Sequence, residues 1–282
     1  MRLCRYGKDG FEKPGMIDHE GKLRDLSKVV AGIGSNEISP RGLAMLSRVK
    51  PESLPVVSNS PRLGVPYVGI GKFVAIGLNY SDHAKEAGMP IPAEPIVFSK
   101  ATTSISGPND DVIQPKNSSK LDWEVELGVV IGTKAQYVSV EKALDFVAGY
   151  CVVNDMSERA FQMATSQWDK GKGSDTAGPI GPWLVTTDEI RDPQKLDMWL
   201  DLNGKRMQSG NTRTMIFSVA QIVSHVSQYM TLLPGDLITT GTPPGVGMGI
   251  KPAPVFLKPG DVMTLGIKGL GEQKQKVVAY PG

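Results

Sequence analysis

Apolar residues along this chain come in short blocks broken by turns. Phe73–Leu78, Ile96–Ser99, Val125–Ile131, Phe146–Val153, Pro179–Thr186, Leu196–Leu202 and Leu237–Thr240 are each long enough for one strand, and Gly, Pro, Asn or Asp punctuates the gaps. Several blocks are apolar at consecutive positions, so the strands they form are buried on both faces. A helical period is clear once at length: Ile216, Val219, Ile222, Val223, Val226 and Tyr229 form a stripe that predicts a helix over Thr214–Met230. Shorter helices are predicted after Ser39, with Pro40 at the first position, from Ser81 or Asp82 to Gly88, from Val140, and from Met156 to Gln162. Asn203-Gly204 predicts a tight hairpin turn, and a second hairpin is expected near Glu20-Gly21. The pattern is therefore α+β and mainly β. The texture changes after a proline-rich connector (Pro51, Pro55, Pro61, Pro66), which divides the chain into a small N-terminal α+β domain, residues 1–66, and a main domain, residues 67–282.

Acids interrupt this apolar pattern at places that matter chemically. In Asp122-Trp123-Glu124-Val125-Glu126-Leu127-Gly128, Glu124 and Glu126 fall on one face of a strand by its two-residue period. Two adjacent carboxylates in a buried setting repel, and a hard divalent cation relieves that conflict; the alternative is a solvated edge strand with two harmless acids. Asp155 ends another buried block and adds a third candidate ligand, since three carboxylates leave room in a cation's shell for water and substrate. His83 and Glu86 are three apart on a predicted helix that follows a buried strand. They are either a general base held by its carboxylate or an exposed surface pair. Arg159 and Gln162 share a helix face at the same spacing, and Lys172 sits between Gly171 and Gly173, where it can approach a ligand closely. Lys100, at a strand end, either meets a substrate carboxylate or is a solvated lysine, and the solvated reading is preferred. His19 reads as a turn residue and His225 as structural.

Composition removes several classes. A net charge of +2 gives no electrostatic reason to expect nucleic acid or a membrane surface as a partner. Charged residues at 21% and hydrophobic residues at 40% are ordinary for a globular protein. No apolar run behind Met1–Gly7 reads as a signal peptide, and none is long enough to span a bilayer, so a cytoplasmic location is expected. Cys4 and Cys151 do not make a disulfide framework. A nucleotide P-loop around Lys172 fails on spacing, because Ser166 stands where a glycine is needed. The Gly241–Gly249 segment is a poor dinucleotide signature, though its backbone N–H groups suit an anion.

Taken together, Asn79-Tyr80-x-x-His83-x-x-Glu86, Asp122-x-Glu124-x-Glu126-Leu127-Gly128, Asn154-Asp155-x-Ser157-x-Arg159-x-x-Gln162, Lys172-x-x-Asp175-Thr176 with Gly181-Pro182-Trp183, and Gly241-Thr242-Pro243 resemble the fumarylacetoacetate hydrolase family. The resemblance runs from about residue 68 to the C-terminus. It implies a mixed β-roll or sandwich core that forms a homodimer or a dimer of dimers. It also implies a divalent cation held by Glu124, Glu126 and Asp155: Mg2+ or Mn2+, with Ca2+ as a further candidate. His83 and Glu86 become a water-activating pair, Lys172 and Gln162 carbonyl or oxyanion partners, and Arg159, Thr242, Tyr80 and Gly241 substrate contacts. The implied reaction is C–C hydrolysis of a 2,4-diketo acid to pyruvate and a second acid. Bacterial enzymes acting on 2,4-diketo-3-deoxy-L-rhamnonate or -fuconate, which release lactate, are the nearest subclass. Oxaloacetate decarboxylation, ureidoglycolate lyase activity and binding of a sugar acid without turnover are the rival readings.

Overall fold

The central strand Val125–Ile131 shows how the fold is built, because every one of its residues is buried. Val125, Leu127, Val129 and Ile131 point into one core cluster, and Val130 points into another. Such a strand must be covered on both sides, and two parts of the chain do this. The computed structural model describes residues 1–282, the side chain of Ala87 excepted.

The main sheet has 11 strands. Its order is Leu23–Asp25, Lys13–Ile17, Arg2–Tyr6, Gly178–Thr186, Val147–Asn154, Val125–Ile131, Leu237–Thr239, Phe73–Gly77 and Ile96–Lys100, with Leu63–Gly64 and Ile105–Ser106 attached at the side. Most neighbours are antiparallel, but Leu237–Thr239 runs parallel to Phe73–Gly77. A five-stranded sheet, Lys205–Asn211, Asp197–Leu202, Val262–Ile267, Gly271–Val278 and Val112–Ile113, covers one side of the core. The helix Val219–Tyr229 adds Val219, Ile222, Val223 and Val226 to that same cluster. The mainly β, α+β class expected from the pattern is the one formed.

Residues 1–66 cover the other side. Leu3, Met16, Leu26, Ile33, Ile38, Leu46 and Leu54 pack with Val130, Ala148, Cys151, Val153 and Leu184 of the central strands. The change of texture at residue 66 coincides with no break in the sheet, since Arg2 and Leu3 pair with Val185 and Leu184. Ser39 caps the helix Pro40–Leu46, and the Asn203-Gly204 hairpin forms with both residues at positive φ.

Two local expectations change. The long helix begins at Val219 rather than Thr214, with a Ser218–Gln221 capping box. Thr212–Thr214 makes a 3-10 turn, and the backbone of Ile216 and Phe217 is taken by Asn79, whose carbonyl and side-chain oxygens accept from their N–H groups at 2.7 and 2.8 Å. The helix Ser81–Ala87 does end on left-handed Gly88, but neither Ser81 nor Asp82 caps it; Tyr80 stands at that position without a side-chain bond.

The seam between the sheets is polar. Gln273 and Gln275, on the inward face of the last strand, are fully buried. The Gln275 amide donates to Pro108 O and Gln273 Oε1, and its oxygen accepts from Asn154 Nδ2 at 3.1 Å. Gln273 in turn donates to the carbonyls of Val152 and Gly181. Each amide closes backbone groups that water cannot reach, so removing one strands the others. Gln275→Leu is expected to lower stability by about 1–3 kcal/mol; urea unfolding reads this directly, and an unchanged midpoint would show that the seam is held by apolar packing alone.

Candidate active site

The acids converge where the central strands leave the sheet. Glu124, one residue ahead of Val125–Ile131, Glu126 inside that strand, and Asp155, just past Val147–Asn154, offer carboxylate oxygens all within 4.8 Å of one another, and all three residues are buried. The register explains this, because Val125 pairs with Asn154 and Glu126 with Val153. Asp155 N–H also donates to Glu124 O at 2.9 Å, and Asn154 Oδ1 accepts from Glu124 N–H. A solvated edge strand is ruled out.

Three cations are buried against these acids. Arg159 donates from Nε to Asp122 at 2.9 Å, from Nη2 to Glu124 at 2.7 Å and from Nη1 to Gln162 at 3.0 Å. Lys172 Nζ lies 2.7 Å from Glu124 and 2.8 Å from Asp155. It gets there because a Cβ on Gly171 would sit 2.4 Å from Gln162 Cβ, an approach only glycine permits. The third cation is Lys100, 2.7 Å from Asp155 Oδ1 and donating to the carbonyls of Met156 and Lys172. The expectation of a solvated Lys100 is therefore corrected: its aliphatic strand-end context hid a fully buried ion pair.

The buried acids outnumber the buried cations. Asp122, Glu124, Glu126 and Asp155 are four buried acids, and Lys100, Lys172 and Arg159 are the three buried cations ion-paired with them. Glu126 accepts only from neutral donors, the Thr239 hydroxyl at 2.5 Å and Gly241 N–H at 2.7 Å. Burial, Asp155 and Glu124 together push its pKa well above the usual carboxylate value. Burial opposes the charge of Glu124 too, yet Lys172 and Arg159 outweigh it and hold that carboxyl far below the usual range. The donor set, three buried carboxylates of which Glu126 has no ion-pair partner, fits a hard divalent cation that would displace the Glu126 proton.

His83 and Glu86 face the same cavity of about 360 Å³, along with Arg159, Gln162 and Lys172. His83 Nδ1 is 3.1 Å from Glu86 Oε2, and the two side chains are 14% and 26% exposed. Glu86 also accepts from Gly245 N–H at 3.1 Å, so the helix is tied to the glycine segment. The pair stands at the cavity mouth, with His83 half-buried and Glu86 exposed, so it is open to solvent and faces the cavity at once. His19, paired with Glu52 on the surface, and His225, stacked edge-on with Tyr229, stay outside the cavity as expected.

The substrate contacts expected from the resemblance divide. Arg159 and Thr242 line the cavity. The Thr242 hydroxyl donates to Val125 O at 2.9 Å and accepts from Gln208, so it also braces the strand. Gly241 lines the cavity, but its N–H is committed to Glu126, and it holds φ +92° where a Cβ would press on Asn79. It positions a ligand acid. Tyr80 does not reach the cavity: it is wholly buried, and its hydroxyl donates to Met198 Sδ at 3.1 Å in the core. The glycine segment does bind anions, but they are the protein's own. Besides Glu126 and Glu86, Asp122 accepts from Gly247 N–H at 2.6 Å and Met248 N–H at 3.0 Å. Asp122 had no role in the sequence reading beyond its place in a motif. Burial pushes the Cys4 and Cys151 thiols up to about 12, so neither is a nucleophile near neutral pH.

The fold gathers three buried acids at one cavity, and comparison with known proteins gives the class. The fumarylacetoacetate (FAA) hydrolase C-terminal family profile matches residues 72–278, and the chain belongs to that family. A protein of Burkholderia orbicola, named provisionally and only as a hydrolase, is 61% identical over 277 residues, 98% of each chain. Among solved structures, the fumarylacetoacetate hydrolase of Exiguobacterium antarcticum is 36% identical with a TM-score of 0.90, covering 99% of this chain and 100% of that one. A 2-hydroxyhepta-2,4-diene-1,7-dioate isomerase of Mycobacterium marinum is 33% identical with a TM-score of 0.75, each chain covered in full. The chain is thus an enzyme of a superfamily that holds both hydrolases and isomerases. No helix among the described residues is long and apolar enough to cross a membrane.

Two substitutions test the charge count. A carboxyl whose folded pKa is raised keeps its proton when the unfolded chain has lost it, so the folded state loses stability as pH rises above the ordinary value of 4.5. In EDTA, Glu126→Gln should therefore melt higher than the parent at neutral pH and match it in acid, and Mg2+ or Mn2+ should no longer raise its Tm. A parent that gains nothing from either cation would argue against the cation site. Lys100→Met leaves Asp155 short of a buried partner and is expected to cost about 3 kcal/mol in chemical denaturation; a loss below about 1 kcal/mol would place Lys100 outside the charge network.

Proposed function

We propose that this enzyme is a divalent-cation-dependent hydrolase that cleaves the C3–C4 bond of a 2,4-diketo acid, giving pyruvate and a second carboxylic acid. The observation that carries the reading is the His83–Glu86 pair opening into the same cavity as the buried acid triad. Binding alone needs no base, and decarboxylation of oxaloacetate needs no attacking water, whereas hydrolysis needs both a cation site and a base.

Glu124, Glu126 and Asp155 would hold Mg2+ or Mn2+, which when bound supplies Lewis-acid polarisation and an anchor for the 2-keto acid end of the substrate. Glu86 accepts a hydrogen bond from His83 Nδ1–H, which leaves Nε2 free to take a proton from water. The hydroxide so formed adds to the C4 carbonyl. Lys172 and the Gln162 amide line the same cavity and would stabilise the charge developing on that oxygen, a contribution of several kcal/mol in comparable sites. When the C3–C4 bond breaks, its electron pair stays on C3, the C4 fragment leaves as the carboxylic acid, and C3 is protonated to give pyruvate. The proton returned by His83 balances the one it took. Arg159, with two of its five N–H groups uncommitted after bonding Asp122, Glu124 and Gln162, can meet the substrate carboxylate.

His83→Ala should lower kcat by about 10²-fold or more, the usual contribution of a general base, without changing cation binding measured by calorimetry. Turnover unchanged by this substitution would remove the pair from the mechanism. A panel of acetylpyruvate, oxaloacetate and 2,4-diketo-3-deoxy-L-rhamnonate, with Mg2+, Mn2+ or EDTA, separates the readings. EDTA-sensitive pyruvate formed with an equal amount of a second acid establishes the hydrolase, and pyruvate from oxaloacetate alone moves the reading to a decarboxylase.

A further inference from the structure

The cavity is divided by chemistry. Most of its charged groups are gathered around the acid triad, where Arg159 and Lys172 share Glu124, and at the His83–Glu86 pair beside the glycine segment; exposed Lys251 is the one further charge on the lining. The rest of the wall is largely apolar: Met89, Phe98, Met163, Trp168, Val246 and Met248. Three of these are methionines that stand open to solvent, Met163 at 67%, Met89 at 49% and Met248 at 43%. Exposed large apolar side chains grouped at one cavity mouth mark a surface that something apolar covers, and the flexible, polarisable methionine side chain adapts to what it covers.

The aromatic part of this wall is fixed. The Trp168 ring packs edge-on against Phe98, with centroids 5.3 Å apart. Its place exists because residue 77 has no side chain: a Cβ there would lie 2.4 Å from Trp168 Cζ3. An aromatic pair held against a strand by a bare glycine makes a firm apolar floor, while the methionines form the adjustable rim.

Resting on the hydrolase reading, the geometry points to an acylpyruvate with an apolar acyl group, an alkyl or aryl chain rather than a polyhydroxylated sugar-acid tail, as the substrate class. In this reading the triad end takes the 2-keto acid and the C4 carbonyl faces His83, so the acyl group extends along the Met163–Trp168–Met248 wall. Each methylene taken from water there is worth about fourfold in binding. Each hydroxyl placed there without a partner forfeits about tenfold.

The test uses the full chain with Mg2+ and measures kcat/KM for acetyl-, butanoyl-, hexanoyl- and benzoylpyruvate, for an acylpyruvate ending in a carboxylate, and for 2,4-diketo-3-deoxy-L-rhamnonate. The expected result is a rise of about fourfold per methylene across the alkyl series. The sugar acid should fall at least about tenfold below the alkyl compound of equal length. Met163→Ser and Met248→Ser should flatten that slope, which a general loss of stability would not do, since it lowers every substrate alike. A flat slope in the parent, or a sugar acid or terminal carboxylate turned over as fast as the alkyl compound, overturns this inference and leaves the hydrolase standing. If no acylpyruvate releases pyruvate, acetylpyruvate included, the hydrolase reading falls and this inference with it.

Discussion

Four carboxylates buried against three cations are the constraint around which this molecule is arranged. A lone buried acid would be protonated, and a matched set of ion pairs would be inert structure. Glu126 is a different situation: with no buried cation beside it, its carboxyl is pushed toward the protonated form, and a cation bound there would take the place of that proton. The ion pairs around it fix the geometry. Arg159 spans Asp122 and Glu124, Lys172 spans Glu124 and Asp155, and Lys100 holds Asp155 from the other side. None of the three acids proposed as ligands is free to turn away.

Such a cluster needs rigid walls, and the sheet supplies them. Glu126 and Asp155 are placed by the register of two antiparallel strands that are buried along their whole length. That burial depends on residues 1–66 covering one face and the five-stranded sheet covering the other. The His83–Glu86 pair sits elsewhere, on a short helix tied to the scaffold by Gly245 N–H. Under the proposed mechanism, rigid acids and a helix-borne base divide the work of holding charge and moving protons.

Much of this was legible in the sequence, for identifiable reasons. Strands buried on both faces leave continuous apolar runs, so Val125–Ile131 and Val147–Asn154 stood out, and acids set into such runs are costly enough to signal a purpose. The pair at His83 and Glu86 followed from helical spacing. Lys100 was misread because nothing local distinguishes a lysine that snorkels to water from one that meets an acid 55 residues away in sequence. Gln273 and Gln275 were invisible for a related reason: Gln-Lys alternation is polar on both faces, and only the assembled seam shows which face turns inward. Tyr80 shared a motif with His83 but lies one residue ahead of the helix, where its side chain turns into the core. The glycine segment was recognised as an anion cradle, yet its anions turned out to be Glu86, Asp122 and Glu126.

The dependence of the Trp168 ring on the missing side chain of Gly77 has an evolutionary side. The acids are set by the strands and the residues beside them, and Lys100 ends a strand, whereas Arg159 and Lys172 lie on short helices flanked by Met163 and Trp168, with a single strand glycine making room for the ring. Diversification can therefore proceed at the wall by small steps, one methyl at position 77 or a new residue in a loop, without disturbing a ligand acid. A scaffold built this way lets a lineage reshape the cavity wall while inheriting its buried acids unchanged.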